Sequence, residues 1–186
     1  MPVVTAKVSN ANDDAHERVS NGAMLQQSTV NLQANTTLSL AFFGIFRMQL
    51  NVPQGATINS ATPRLFLFDS NLDNPAGTFH LEAADNAGAV TTTAGDIHNR
   101  PVTTASVPWN ASDLFPGGTS GMFVDGPDLA AVVQEVVNRP GWESGNYIAV
   151  IWIPRVDITS AFACHAYEQS SANAFELVVD YEEDSG

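Results

Sequence analysis

Apolar and polar positions alternate with a period of two through most of this chain, and with a period near 3.6 in one place only. Along Gly44–Val52 (GIFRMQLNV), Phe46, Met48, Leu50 and Val52 share one side of an extended chain, with Ile45 alone on the other. Such alternation marks a half-buried strand. Gly77–Ala84 repeats it, with Phe79, Leu81 and Ala83 against Thr78, His80 and Glu82. Phe175–Tyr181 does so again with Phe175, Leu177, Val179 and Tyr181. Val3–Ser9 alternates weakly, and Thr103–Trp109 sets Ala105, Val107 and Trp109 in register. Thr29–Leu32, Leu38–Phe43 and Ala161–Tyr167 read as further short strands. Arg64–Asp69 (RLFLFD) and Asn146–Ile153 (NYIAVIWI) are apolar almost throughout, as strands covered on both faces are.

The helical period belongs to Leu129, Val132, Val133 and Val136, which fall at i, i+3, i+4 and i+7. Pro127 suits a first helical turn, and Asp128 complements the dipole there. Asn138, Arg139, Pro140 and Gly141 stop the helix. So short a helix needs a sheet to lie on. Asn10–Gly22, Asp85–Arg100 and the Gly-rich Pro116–Asp125 read as loops. The pattern predicts a mostly β protein: a two-sheet antiparallel β-sandwich, of jelly-roll type, with one short α-helix. No repeat or low-complexity linker divides residues 1–186, so a single domain is expected.

Composition narrows the function. Apolar residues make up 44% of 186, enough for a real core, whereas charged residues are only 15%. Twenty acidic residues face seven basic ones, for a net charge of -13. The basic residues form no cluster, so nucleic acid is not an expected partner. No apolar run approaches the length of a membrane span, and MPVVTAKVS has none of the parts of a secretory signal. The expectation is a protein that works where it is made, or leaves the cell in a particle released by lysis. The one cysteine, Cys164, excludes an intrachain disulfide. On a strand, Cys164 and His165 point to opposite faces, so they form no catalytic pair. GxSxG, HExxH, CxxC and a Gly-rich phosphate loop are all missing from the sequence, and His16, His80, His98 and His165 have no metal-ligand spacing. A non-enzymatic role is expected.

Four stretches resemble DNRLRE-type and related carbohydrate-binding-module-like jelly-roll domains. They are FRMQLNVPQGATINSA (Phe46–Ala61), EAADNA (Glu82–Ala87) followed by TTASVPW (Thr103–Trp109), PDLAAVVQEVVNRPGWESGN (Pro127–Asn146) and AYEQSSANAFELVVDY (Ala166–Tyr181). They run in collinear order over about three quarters of the chain. Pro154–Ser160 (PRVDITS) departs from the Gly-rich hairpin of that family.

The resemblance implies a β-sandwich without catalysis, of a kind found in secreted adhesins, polysaccharide-degrading enzymes and tailed-phage virions. The leading expectation is a virion structural protein of a tailed phage, a capsid decoration (cement) protein or fibre module. Its partners would be capsid or other virion proteins, and it would form a homo-oligomer such as a trimer, assembled in the host cytoplasm. The alternative is an extracellular carbohydrate-binding module acting at a cell surface or beside a glycosidase. Host-surface glycans would then stack on aromatic rings, for which Trp142, Tyr147 and Tyr167 are the candidates. Related jelly rolls hold a structural Ca²⁺ near the first strand. Here Asp13, Asp14 and Glu17, in NANDDAHE, would offer hard oxygen ligands.

Overall fold

The computed structural model describes residues 2–68, 73–110 and 121–183. Its strands form two facing sheets and a small pair, all joined antiparallel. The first sheet runs in the order β1 (Val3–Lys7), β12 (Glu176–Glu182), β6 (Thr57–Phe66), β9 (Phe123–Asp125). The second runs β3 (Met24–Leu25), β2 (Asp14–Arg18), β5 (Phe42–Gln49), β10 (Tyr147–Pro154), β7 (Gly77–Leu81), β8 (Val107–Trp109). The pair is β4 (Thr29–Asn31) with β11 (Ala163–His165). One helix, α1 (Ala130–Val137), completes the described elements. The protein is a mostly β, antiparallel sandwich with one short helix.

The main core fills the space between the sheets. Phe46 and Met48 of β5 and Ile148, Val150 and Trp152 of β10 meet Leu177 and Val179 of β12 and Ala61 and Leu65 of β6. Phe46 stacks on Phe175 with ring centroids 4.2 Å apart. Trp109, Trp152, Phe79 and Phe162 form a second aromatic knot in the same layer. Burying one such ring is worth about 1.5–3 kcal/mol, so this layer carries most of the stability. Gly77 lies flat against Trp152, where any Cβ would overlap the indole.

A smaller core lies outside the second sheet. Ala15, Ile45, Ala149 and Ile151 point away from the main core and are covered by Ala87, Val90 and Ile97. The covering residues belong to Asp85–Arg100, expected to be only a polar connection; with its flanks, from 83 to 102, it folds back as an overlay. This explains why β10 reads as one apolar run. Its even positions face the main core, and Ala149 and Ile151 face the overlay.

Helix α1 covers β6 beyond the three residues that β9 pairs. Asp128 Oδ1 accepts the Ala61 N–H at 2.8 Å and the Ala130 N–H at 3.0 Å. Gln134 Oε1 accepts the Ile58 N–H at 2.8 Å. These side chains replace a neighbouring strand and protect the open edge.

Other expectations are corrected. Asn10–Gly22, read as a loop, contains β2, whose residues Asp14–Glu17 are all buried. Leu38–Leu40 is a 3₁₀ turn, and the strand begins only at Phe42. Pro127 precedes the helix rather than entering its first turn. Phe123–Asp125, read as loop, is β9, whereas 116–120 and Asp69 lie outside the described residues.

Candidate functional site

The overlay is held by a buried carboxylate. Glu17, on the outward face of β2, has a fully inaccessible side chain. Its Oε2 accepts the Ile97 N–H at 2.6 Å and the His98 N–H at 3.2 Å. Its Oε1 accepts the proton of His98 Nδ1. A buried carboxylate without donors would cost far more than a protein's net stability, so this convergence makes the position tolerable. It also fixes the imidazole. With Nδ1 donating to a carboxylate, the other ring nitrogen, Nε2, is the accepting one in the neutral ring. The His98 side chain remains 44% exposed.

A second polar knot stands beside the first. Arg100 donates from Nη1 to Glu82 at 2.6 Å and from Nη2 to Asp96 at 2.9 Å. It also reaches the carbonyls of Gly88 and Ala89. Its Nε is buried without a hydrogen-bond partner.

Two hollows adjoin Arg100. One, of about 310 Å³, has a floor of Phe43, Ile151 and Ile153 from the second sheet. Ile97 and Val102 wall it from the overlay, and His98 and Arg100 supply its polar atoms. The other, about 480 Å³, is wide open and of mixed lining, with Glu82, Thr93, Asp96 and Asn99 around Arg100 and Ala89, Ala94 and Pro101 beside them. His98 could relay a proton at Nε2, but apart from Arg100 the side chains around it in the smaller hollow are apolar.

The expected metal ligands do not converge. Alternation along β2 sends Asp13 and Glu17 to the outer face and Asp14 to the inner one. Asp13 pairs with Arg47 at 2.7 Å, and Glu17 holds His98. Asp14 accepts the Tyr167 N–H at 2.8 Å and meets Glu168. Burial, with the charges of Glu168 and Asp13 adding to it, pushes its carboxyl up to about 8 despite the Tyr167 bond. Among the described residues, no group of three or more His, Cys, Asp and Glu side chains is placed to hold a metal.

The expected aromatic platform is also dispersed. Trp142 is 2% exposed and donates from Nε1 to the Val52 carbonyl at 2.9 Å, pinning the turn after α1. Tyr147 packs on the outer core under the Arg47 guanidinium, 3.5 Å from the ring centre. Tyr167 packs on the main core. Cys164 is buried and its thiol is pushed upward by burial, with Asp14 adding to it, while His165 points to the other face.

Elsewhere, an aromatic cluster reaches solvent at the end of β6. Phe66 lies edge-on to Phe123 at 5.2 Å and to His165 at 4.8 Å. Phe68 and Met122 beside them are 45% and 47% exposed. Arg64 covers the far side of Phe123 at 4.8 Å.

No family model matches this chain, and no curated protein is significantly similar to it in sequence. The residues that sequence reasoning missed are Glu17 as a clasp, His98 as its partner, and Arg100. Glu17 and His98 lie 81 residues apart, so no local spacing marks them, whereas Arg100 has one partner 18 residues back and another, Asp96, four residues back, a spacing too common to single it out. The only local hint was Ile45, an apolar residue on the side otherwise expected to be polar.

Proposed function

We propose that the protein is a non-enzymatic virion structural protein of a tailed phage, a capsid decoration or fibre module, that works by docking its surface onto other virion proteins. The observation that carries this reading is the cluster at the end of β6, where Phe68 and Met122 are exposed and Phe66 and Phe123 half-buried, along the short edge strand β9. Aromatic and Met side chains rimmed by charge, here Arg64 and Asp125, are the usual makeup of a contact surface. The choice of a virion rests on the sequence resemblance and on the strongly acidic composition. Support for a role without chemistry comes from three carboxylates, Asp13, Glu17 and Glu82, each engaged in holding elements together.

Light scattering and co-sedimentation with phage particles test this. The wild type is expected as a symmetric oligomer that travels with particles, and Phe68→Ser/Met122→Ser as a monomer that does not. A wild type that stays monomeric and leaves particles unbound would overturn the proposal.

A carbohydrate-binding module is the second reading. What favours it is the open hollow of about 480 Å³, whose Glu82, Asp96, Asn99 and Arg100 are the planar polar side chains that sugar hydroxyls require. A glycan array read with and without Ca²⁺ tests it, with Asn99→Ala expected to abolish any signal.

A further inference from the structure

We propose that the smaller hollow, between the overlay and the outer face of β5 and β10, is a binding site for a small neutral aromatic alcohol. Three observations converge on that chemical class, and none depends on the docking role above.

The first is the lining. Phe43, Ile151 and Ile153 below, with Ile97 and Val102 above, offer an apolar slot with an aromatic wall. Its volume, about 310 Å³, is at the lower end of those that take small molecules, roughly 300–1,000 Å³. A sugar ring would leave most of its hydroxyls unmatched here, whereas a single ring bearing one polar group would not.

The second is the polar atom at its side. The bond to Glu17 makes His98 Nδ1 the donor, so the neutral ring presents Nε2 as an acceptor. Arg100, which also lines the slot, has its terminal nitrogens committed to Glu82 and Asp96 and its Nε sealed from solvent. The open partner is therefore an acceptor, which a ligand hydroxyl satisfies by donating and a bare ring does not.

The third is charge. Glu82 and Asp96 flank the single Arg100 and Glu17 stands behind His98, so the surroundings are net negative. A carboxylate or phosphate ligand would be repelled, and a neutral hydroxyl would not.

The test is a titration of the isotope-labelled, full-length protein followed by ¹H–¹⁵N spectra, including the imidazole nitrogens. The probes are 4-methylphenol, toluene and 4-methylbenzoate. The expected result is saturable shifts at His98, Ile97, Val102 and Ile151 with 4-methylphenol. Toluene, lacking the hydroxyl, is expected to bind about tenfold more weakly, and 4-methylbenzoate not at all. Val102→Phe and Ile153→Phe, which fill the slot from half-buried positions, should abolish the phenol shifts. His98→Gln should bring 4-methylphenol down toward the level of toluene, with the thermal transition retained. Absence of saturable shifts at these residues overturns the proposal. So does equal binding of toluene, or binding of the carboxylate as tight as that of the phenol.

Discussion

Asp14 and His16 lie two residues apart on the inner face of β2, and they respond to pH in opposite senses. Burial raises the Asp14 carboxyl to about 8 and holds the His16 imidazole down at about 4. A raised acid stabilises the fold fully only below its unfolded value, near 4, and the benefit is lost as pH climbs through about 8. A depressed histidine acts the other way: stability is complete above about 6.5 and falls as pH drops toward 4. Between 4 and 6.5 the two contributions cancel, since each follows one proton. From 6.5 to 8 only Asp14 acts, at up to about 1.4 kcal/mol per pH unit. Thermal melts of the wild type should therefore be flat from pH 5 to about 6.5 and decline above it. Asp14→Asn, which still accepts the Tyr167 N–H, should remove the decline; an unchanged slope in that variant contradicts the assignment. Trp142→Ala is a different kind of test. It removes a sealed indole together with its bond to Val52, so a loss of about 3–5 kcal/mol is expected in denaturant unfolding.

Among the elements, the overlay shows where the sequence was legible and where it was not. Strands with one wet face or two apolar faces could be read directly: Phe46 and Met48 are buried as their alternation requires, and so are Val132, Val133 and Val136 of the helix. β2 was opaque because, Ala15 apart, its buried side chains are Asp14, His16 and Glu17, residues whose presence inside depends on partners far along the chain. The stretch from 83 to 102 was opaque for a related reason. Three well-spaced apolar residues, Ala87, Val90 and Ile97, anchor it, too few to make a period. The binding slot, being made by this overlay, was invisible with it. The clasp predicts its own failure mode. In Glu17→Ala, the N–H groups of Ile97 and His98 lose their acceptor while the main core is untouched. Hydrogen exchange should then accelerate across residues 85–102, and β6, β10 and β12 should keep their protection. Uniform loss of protection would show that the overlay and the sandwich unfold as one unit.

At the scale of the molecule, a net charge of -13 sets the terms on which copies meet. Repulsion between identical acidic bodies is long-ranged at low ionic strength and is screened within a Debye length in salt, about 10 Å at 0.1 M. Self-association through the Phe66–Phe68–Met122 cluster should therefore strengthen from about 50 to about 500 mM NaCl, where the Debye length falls several-fold. Sedimentation velocity reads this directly, and weakening with salt would indicate an ionic contact instead. The pairing of β1 with β12 has a practical consequence. Val3 lies opposite Asp180, and the Tyr181 N–H reaches the Pro2 carbonyl, so residues 2 and 183 emerge at one corner. Tyr181 also lies opposite Ile58, near the start of β6, while the aromatic cluster sits at that strand's other end, about 30 Å away. A fluorophore, affinity handle or displayed cargo attached at residue 2 or at residue 183 would thus leave from the same corner, well clear of the face through which the protein is proposed to dock.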